Sequence, residues 1–247
     1  MPYKTIVYTK KNHLAHVTLN RPETANDVNR QMAQELDDVC TRINQDDGVY
    51  VVTVTGAGDA FCTGGEVEPE DAFCRPAAAI AGIDRPVIAA INGDALGEGL
   101  EIALSCDIRL ASSKACFGLP QVSRGSIPMD GGTQRLPRIV GRGKALELLM
   151  TADIITSAEA LEIGLVSRVV PGEALVGEAE KLAETVAAKG PIALRYLKEA
   201  VNKGLDMTLE QGLRLEADLY FLLHTTADRT EGIKSYLEKR TPKYKGK

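Results

Sequence analysis

The spacing of apolar and polar positions changes several times along the chain, and each change marks an element. Residues 14–19 alternate and stop at Asn20-Arg21-Pro22, a turn signal that predicts a hairpin-like pair with residues 6–8. Met32, Leu36, Val39 and Ile43 fall on one face of a helix starting near Asn29. Residues 50–55 form a run rich in β-branched side chains, closed by Gly56-Ala57-Gly58. Phe61-Cys62-Thr63-Gly64-Gly65 makes a second glycine-rich turn. Residues 66–84 are acidic and then alanine-rich, which reads as a loop with a short helix. Residues 108–111 and 115–118 read as two further short strands. Beyond Gly143 the spacing is helical over 144–151, 157–163, 174–188, 191–203, 208–224 and 230–239, interrupted by an extended piece at 166–170. Alternating strands and helices followed by helices alone predict a β/α core with a helical C-terminal region.

The stretch from Pro86 to Asp107 organises the rest. Residues 87–91 are a short apolar run bounded by Pro86 and Asn92-Gly93, with the length and Val/Ile content of a buried strand. Gly93, Gly97 and Gly99 follow, and an apolar helix-forming segment begins at Leu100. A strand running through glycines into a helix leaves unpaired backbone N–H groups at the positive end of the helix dipole. Such an end can hold a phosphate or an oxyanion. Glu101 lies in the first turn, within reach of whatever those amides grip. The same spacing also suits glycines used only for close packing and a glutamate that only favours the dipole. Spacing alone leaves both open.

Composition narrows the class. The chain has 247 residues, enough for one large domain or two small ones, and 44% hydrophobic residues supply a real core. A net charge of -5 gives no reason to expect nucleic acid. No run has the length of a membrane span, and the first residues lack the apolar core of a signal peptide, so a cytoplasmic location is expected. Cys40, Cys62, Cys74, Cys106 and Cys116 contain no CxxC pair and read as reduced thiols filling the core. His13, His16 and His224 are too scattered for a metal site, and His13 and His16 read as surface or satisfied histidines. No metal is expected.

Several segments together resemble the crotonase, or enoyl-CoA hydratase/isomerase, superfamily over essentially the whole chain. They are Leu19-Asn20-Arg21-Pro22-Glu23 with Asn26, Ala60-Phe61-Cys62-Thr63-Gly64-Gly65, and Pro86-Val87-Ile88-Ala89-Ala90-Ile91-Asn92-Gly93. Further along come Ser105-Cys106-Asp107-Ile108-Arg109, Gly131-Gly132-Thr133-Gln134-Arg135-Leu136 and Glu162-Ile163-Gly164-Leu165-Val166. The tail from Glu231-Gly232 to Glu238-Lys239-Arg240 is similar to the family's closing helix. The resemblance implies an α/β fold, a crotonase-like spiral of ββα units, with a core over 1–190 and a helical trimerisation region over 191–247. It also implies an acyl-CoA substrate, no cofactor beyond the coenzyme A of that substrate, and a homotrimer or dimer of trimers. By position the oxyanion hole for the thioester is formed by the amides of Gly65 and Glu98. Each such donor is typically worth roughly 3 kcal/mol of barrier.

Departures from the family pattern bear on the reaction. Hydratases of the family use two glutamates around one water. Glu101 matches the first, but the second position holds Gln121, whose amide orients water yet neither gives nor takes a proton at neutral pH. Asp130 stands where typical hydratases have a small residue, as a catalytic aspartate does in dienoyl-CoA isomerases and 4-chlorobenzoyl-CoA dehalogenases. Glu101 and Asp130 are therefore expected to form the acid/base pair, with Gln121 positioning water or substrate; a loop aspartate capping the helix near Gly131 is the bland alternative. Glu98 replaces the glycine usual at its position and sets a carboxylate beside the thioester. The segment from Glu66 to Pro86 is shorter than in typical members, which suits a bulky or cyclic acyl group.

Contacts to coenzyme A follow by family position. Backbone around Glu23, Thr24 and Asn26 and around Thr63 and Gly64 is expected to hold adenine and pantetheine. Tyr236 and Lys239 match positions on the last helix that reach a coenzyme A, often a neighbour's. Glu68 sits where many members carry a basic residue. The basic tail, Lys234, Lys239, Arg240, Lys243, Lys245 and Lys247, suits CoA phosphates or simply a solvated end. The expected activity is hydration of an enoyl- or dienoyl-CoA through an enolate. Double-bond isomerisation and a hydrolase reaction are the alternatives, ahead of a non-catalytic CoA-binding homologue.

Overall fold

The computed structural model describes residues 3–65 and 75–247. Strands β1 (Ile6–Lys11) and β2 (Leu14–Leu19) form the expected antiparallel hairpin, with Ile6 opposite Leu19. Ala15, Val17 and Leu19 of β2 are buried and the residues between them half-buried, as a period of two requires. Helix α1 (Arg30–Gln45) opens at Asn29, whose side-chain oxygen accepts the Met32 N–H at 2.9 Å. There follow β3 (Val51–Gly56), α2 (Pro76–Ala81), β4 (Val87–Ile91), β5 (Ala95–Leu96), α3 (Glu98–Ser105), β6 (Ile108–Ser112) and β7 (Cys116–Gly118). Then come α4 (Gly132–Val140), α5 (Arg142–Thr151), β8 (Ile155–Thr156), α6 (Ser157–Glu162), β9 (Arg168–Val170) and α7 (Leu175–Ala187). Three helices close the chain: α8 (Pro191–Gly204), α9 (Leu209–Leu223) and α10 (Ala227–Leu237).

Six strands form one sheet in the order β1-β2-β3-β4-β6-β9, parallel from β2 onward, while β5, β7 and β8 form a small second sheet. Successive units thus send one strand to the large sheet, the next to the small one, and then turn into a helix: β4-β5-α3, then β6-β7-α4. This is the ββα spiral. The two-residue strands β5 and β8 are too short to leave a periodic trace in sequence, and neither is expected from it.

Every residue of β4 is buried, because helices cover both faces of the sheet. On one side Met32, Leu36, Val39 and Ile80 join the main core. On the other, Leu175, Ala179 and Ala183 of α7 meet Tyr50, Val51, Ile88 and Leu110. That double coverage explains why β3 and β4 read as continuous apolar runs and not as alternation.

Charged side chains fasten α8 to the loops on either side of the β4–α3 unit. Arg85 is 1% exposed and donates to the carbonyls of Asn44, Asp46 and Val49 at 3.1, 3.1 and 3.3 Å. Asp84 pairs with both Arg85 and Arg195 of α8. Lys198 reaches the Arg85 carbonyl at 3.0 Å and Asp107 at 2.8 Å. Elsewhere α8 and α9 present an apolar surface: Leu197, Val201, Leu205, Leu209, Leu213 and Phe221 are all exposed.

One buried asparagine ties two loops that lead to the glycine-rich turns. Asn26, fully buried and at φ +60°, accepts the Arg21 N–H at 2.9 Å and donates to the carbonyls of Ala57 and Ala60 at 2.8 and 2.9 Å. Asn26→Ala removes all three bonds and places alanine in a left-handed conformation it disfavours. A loss of at least about 2 kcal/mol in urea unfolding is expected. An unchanged midpoint would show that the loops hold together without it.

Candidate active site

Two glycine loops meet backbone to backbone. The N–H groups of Phe61 and Cys62 donate to the Asp94 carbonyl at 3.2 and 3.0 Å, and the Leu96 N–H donates to the Cys62 carbonyl at 2.9 Å. A Cβ on Gly99 would lie 1.9 Å from that same Cys62 oxygen, so only glycine permits the approach. Gly97, at φ +54°, turns the chain into α3, and a Cβ there would stand 3.5 Å from the Gly64 Cα. The other flank of the first loop is held by Val28 N–H on the Gly64 carbonyl at 2.6 Å and Thr63 N–H on the Ala25 carbonyl at 3.2 Å. Gly65 thus lies next to Gly64 on one side of this contact and Glu98 begins the facing helix, where its N–H has no acceptor four residues back.

Glu101 sits one turn into α3 and is 1% exposed. Its Oε1 accepts the N–H groups of Asp130 and Gly132, both at 2.7 Å. Burial raises its pKa; the two amides oppose that shift, and the negative charges of Asp130 and Glu98 add to it. Among the described residues Oε2 carries no hydrogen bond. The carboxyl group thus has one oxygen fixed and one available, in surroundings that favour a held proton.

Asp130 is buried rather than on a loop surface, and its carboxylate is engaged differently from the expected pairing with Glu101. Oδ2 accepts the Ala77 N–H at 2.6 Å and Oδ1 the Ala78 N–H at 3.1 Å, with the Arg75 guanidinium 3.5 Å away. It caps the start of α2, not the helix near Gly131. Burial raises its pKa, against the pull of those amides and of Arg75 and Arg135. What Asp130 gives Glu101 is its own backbone N–H. That donor, and the one from Gly132, are missed by a reading of side chains; the Gly131-Gly132 pair is the only trace they leave in sequence.

Gln121 and Glu98 complete the site. Gln121 is 5% exposed, and among the described residues neither its Oε1 nor its Nε2 has a hydrogen-bond partner. Nε2 lies 3.7 Å from where a Cβ on Gly97 would stand. Glu98 is half-buried, yet its Oε2 is buried, unpartnered, and 3.2 Å from the corresponding position on Gly64. Unpaired buried polar atoms typically cost about 1–3 kcal/mol each, so their concentration beside the Gly64–Gly97 contact marks a place shaped for a polar ligand.

The other expected residues divide. The Glu23, Thr24 and Asn26 segment lies beside Thr63 and Gly64, joined through the Ala25 carbonyl and the Val28 N–H, and the Asn26 side chain is consumed by the loops it ties. Tyr236 is 83% exposed on α10, and Lys239 is exposed just beyond it; among the described residues neither side chain bonds to the site. Glu68 and Cys74 lie outside the described residues. His13 is satisfied by the Gly48 carbonyl at 3.0 Å and stacks on Tyr50, and His16 bonds Thr53 at 2.6 Å. Part of the basic tail is paired internally, Arg240 with Glu231 and Glu238.

Glu101→Gln keeps an oxygen for both amides while removing the charge. Because the folded pKa of Glu101 is raised, the native protein binds its proton more tightly than the unfolded chain and loses stability as pH rises through that window. The melting-temperature advantage of the variant should therefore grow as pH rises above the ordinary glutamate range. A difference that stays flat with pH would contradict this account of the Glu101 environment.

A family model described as enoyl-CoA hydratase/isomerase matches residues 9–247. The chain is 40% identical to the crotonyl-CoA hydratase of Syntrophomonas wolfei, covering 97% of both proteins. It is also 40% identical to the (E)-benzylidenesuccinyl-CoA hydratase of Thauera aromatica, over 95% of this chain and 96% of the relative. The crystal structure of an enoyl-CoA hydratase from Bacillus anthracis superposes with a TM-score of 0.96 at 39% identity, covering 99% of this chain and all of that one. The spiral fold, the paired glycine loops and the buried glutamate on the helix between them thus come with sequence similarity along nearly the full length, and the chain belongs to the enoyl-CoA hydratase/isomerase family.

Proposed function

We propose that this enzyme adds water to the double bond of an enoyl- or dienoyl-CoA, with Glu101 moving a proton at the reacting carbons. The observation that carries the reading is Glu101 itself: a buried carboxyl group with one oxygen fixed by two amides and the other unengaged, one turn from the Gly97–Glu98 helix start. In this reading the N–H groups of Gly65 and Glu98 receive the thioester oxygen and stabilise the enolate. Gln121 holds the attacking water through its unpartnered amide. Asp130 serves as a positioning residue that seats its own N–H on Glu101 and braces α2. Glu23, Thr24, Asn26, Thr63 and Gly64 lie along the coenzyme A path by backbone, with Tyr236 and Lys239 reaching a neighbour's.

A bulky or cyclic acyl group is favoured by the short stretch from Glu66 to Pro86, and the similarity to a hydratase of an aryl-substituted acyl-CoA supports it. The exposed apolar side chains of α8 and α9 suit burial between copies, as a homotrimer or dimer of trimers. Sedimentation is expected to give three or six chains, and a monomer would count against that assembly. The free, buried thiols of Cys40, Cys62 and Cys106, each pushed up to about 12 chiefly by burial, suit a reducing cytoplasm.

Isomerisation is the second reading, and a specific observation favours it. With Asp130 engaged by α2 and an amide at position 121, Glu101 alone could carry a proton from one carbon to another through the same enolate. Mass spectrometry of enoyl-, dienoyl- and cyclic acyl-CoA esters incubated in heavy-oxygen water separates the two. Hydration predicts one added labelled water with the thioester intact. Unchanged mass with a shifted double bond would replace it by isomerisation, and release of free coenzyme A would indicate a hydrolase. Glu101→Gln should lower kcat by about 10²–10⁴-fold in either case.

A further inference from the structure

Hydration requires two proton movements. One proton leaves the water as its oxygen bonds to the β-carbon, and another must reach the α-carbon. Gln121 can do neither. Asp130 has an N–H of α2 on each carboxylate oxygen. Among the described residues around the Gly64–Gly97 contact, one other carboxylate has a buried oxygen without a partner: Glu98, with Oε2 3.2 Å from where a Cβ on Gly64 would stand. Glu98 and Glu101 are three residues apart on α3, a spacing that sets two side chains on one face of a helix. After burial and its hydrogen bonds, Glu101 is also influenced by the charge of Glu98, so each carboxylate lies within the other's field. The Gln121 amide stands at the neighbouring residue, beside Gly97.

We infer that Glu98 is the second carboxylate of the reaction, doing the proton work that position 121 cannot, while Gln121 keeps the water in place. This rests on the hydratase reading above. As the water oxygen bonds to the β-carbon, the Glu98 carboxylate takes one water proton and the double-bond electron pair moves toward the thioester, giving the enolate. The enolate pair then takes the proton held by Glu101 at the α-carbon and the thioester carbonyl reforms. Glu98 ends protonated and Glu101 ionised, and exchange with solvent restores both. One water has been added, and nothing is oxidised or reduced. Residue 98 then serves twice, its N–H on the thioester oxygen and its side chain at the water.

The test uses the full-length protein and whichever ester the heavy-oxygen panel shows to be hydrated. Glu98→Gln preserves size and the backbone N–H; kcat should fall about 10²–10⁴-fold with KM within about threefold. Adding Gln121→Glu to that variant should recover at least about tenfold of the lost rate, by returning a carboxyl group to the site from the other side. A merely structural Glu98 would not be rescued in this way. Should Glu98→Gln fail to fold, Glu98→Gly carries the same expectations, because it also keeps the amide. A variant with kcat within about threefold of the original protein, or a loss that Gln121→Glu does not relieve, would overturn the assignment while leaving the hydratase reading intact. A native protein that incorporates no labelled oxygen into any ester would overturn both.

Discussion

The site depends on one close approach: the Cys62 carbonyl accepting the Leu96 N–H while Gly99 passes where a Cβ would lie 1.9 Å from the same oxygen. Main chain against main chain is the tightest contact a fold can make, and it fixes two loops from separate ββα units without relying on any rotamer. Everything proposed for the chemistry hangs from that seam. Gly65 ends one side of it, Glu98 begins the other, and α3 carries Glu101 from the same edge into the protein. The Asn26 bonds to the Ala57 and Ala60 carbonyls hold the loop that leads into the seam.

Three carboxylates occupy this small region, and their surroundings sort them. Asp130 accepts one amide of α2 at each oxygen. Glu101 accepts two amides at one oxygen and none at the other among the described residues. The buried oxygen of Glu98 has no partner among the described residues. Residue type alone treats these groups as equivalent. What separates them is the supply of N–H donors from loops and helix starts, because each amide a carboxylate accepts occupies a lone pair and fixes the geometry of that oxygen.

Much of this was legible in sequence. The hairpin, α1, β3, β4 and the late helices follow from apolar spacing because each buries a face long enough to show a period. The strand–glycine–helix unit announced both the close approach and the helix start, and Glu101 within it. The role of Asp130 was hidden, because its partners are the main-chain amides of Ala77 and Ala78, some fifty positions earlier, and no side-chain pattern encodes which loop a helix start will face. The unpartnered state of Gln121 and Glu98 was hidden for the opposite reason. A missing partner is a property of the packed surroundings and leaves no local mark.

Asp130 also explains why so plain a helix as α2 lies against the site. Its sequence, Pro76-Ala77-Ala78-Ala79-Ile80-Ala81, offers almost no functional groups, yet proline at the first position and alanines after it are an economical way to present N–H groups in a stiff array. The helix contributes geometry rather than chemistry. Its amides hold a carboxylate whose own amide holds Glu101, so two hydrogen bonds in series connect a featureless helix to the fixed oxygen of Glu101, the one opposite its unengaged oxygen. In this protein Ala77 and Ile80 root α2 in the core, and the position of its first turn thereby helps set where Glu101 is held.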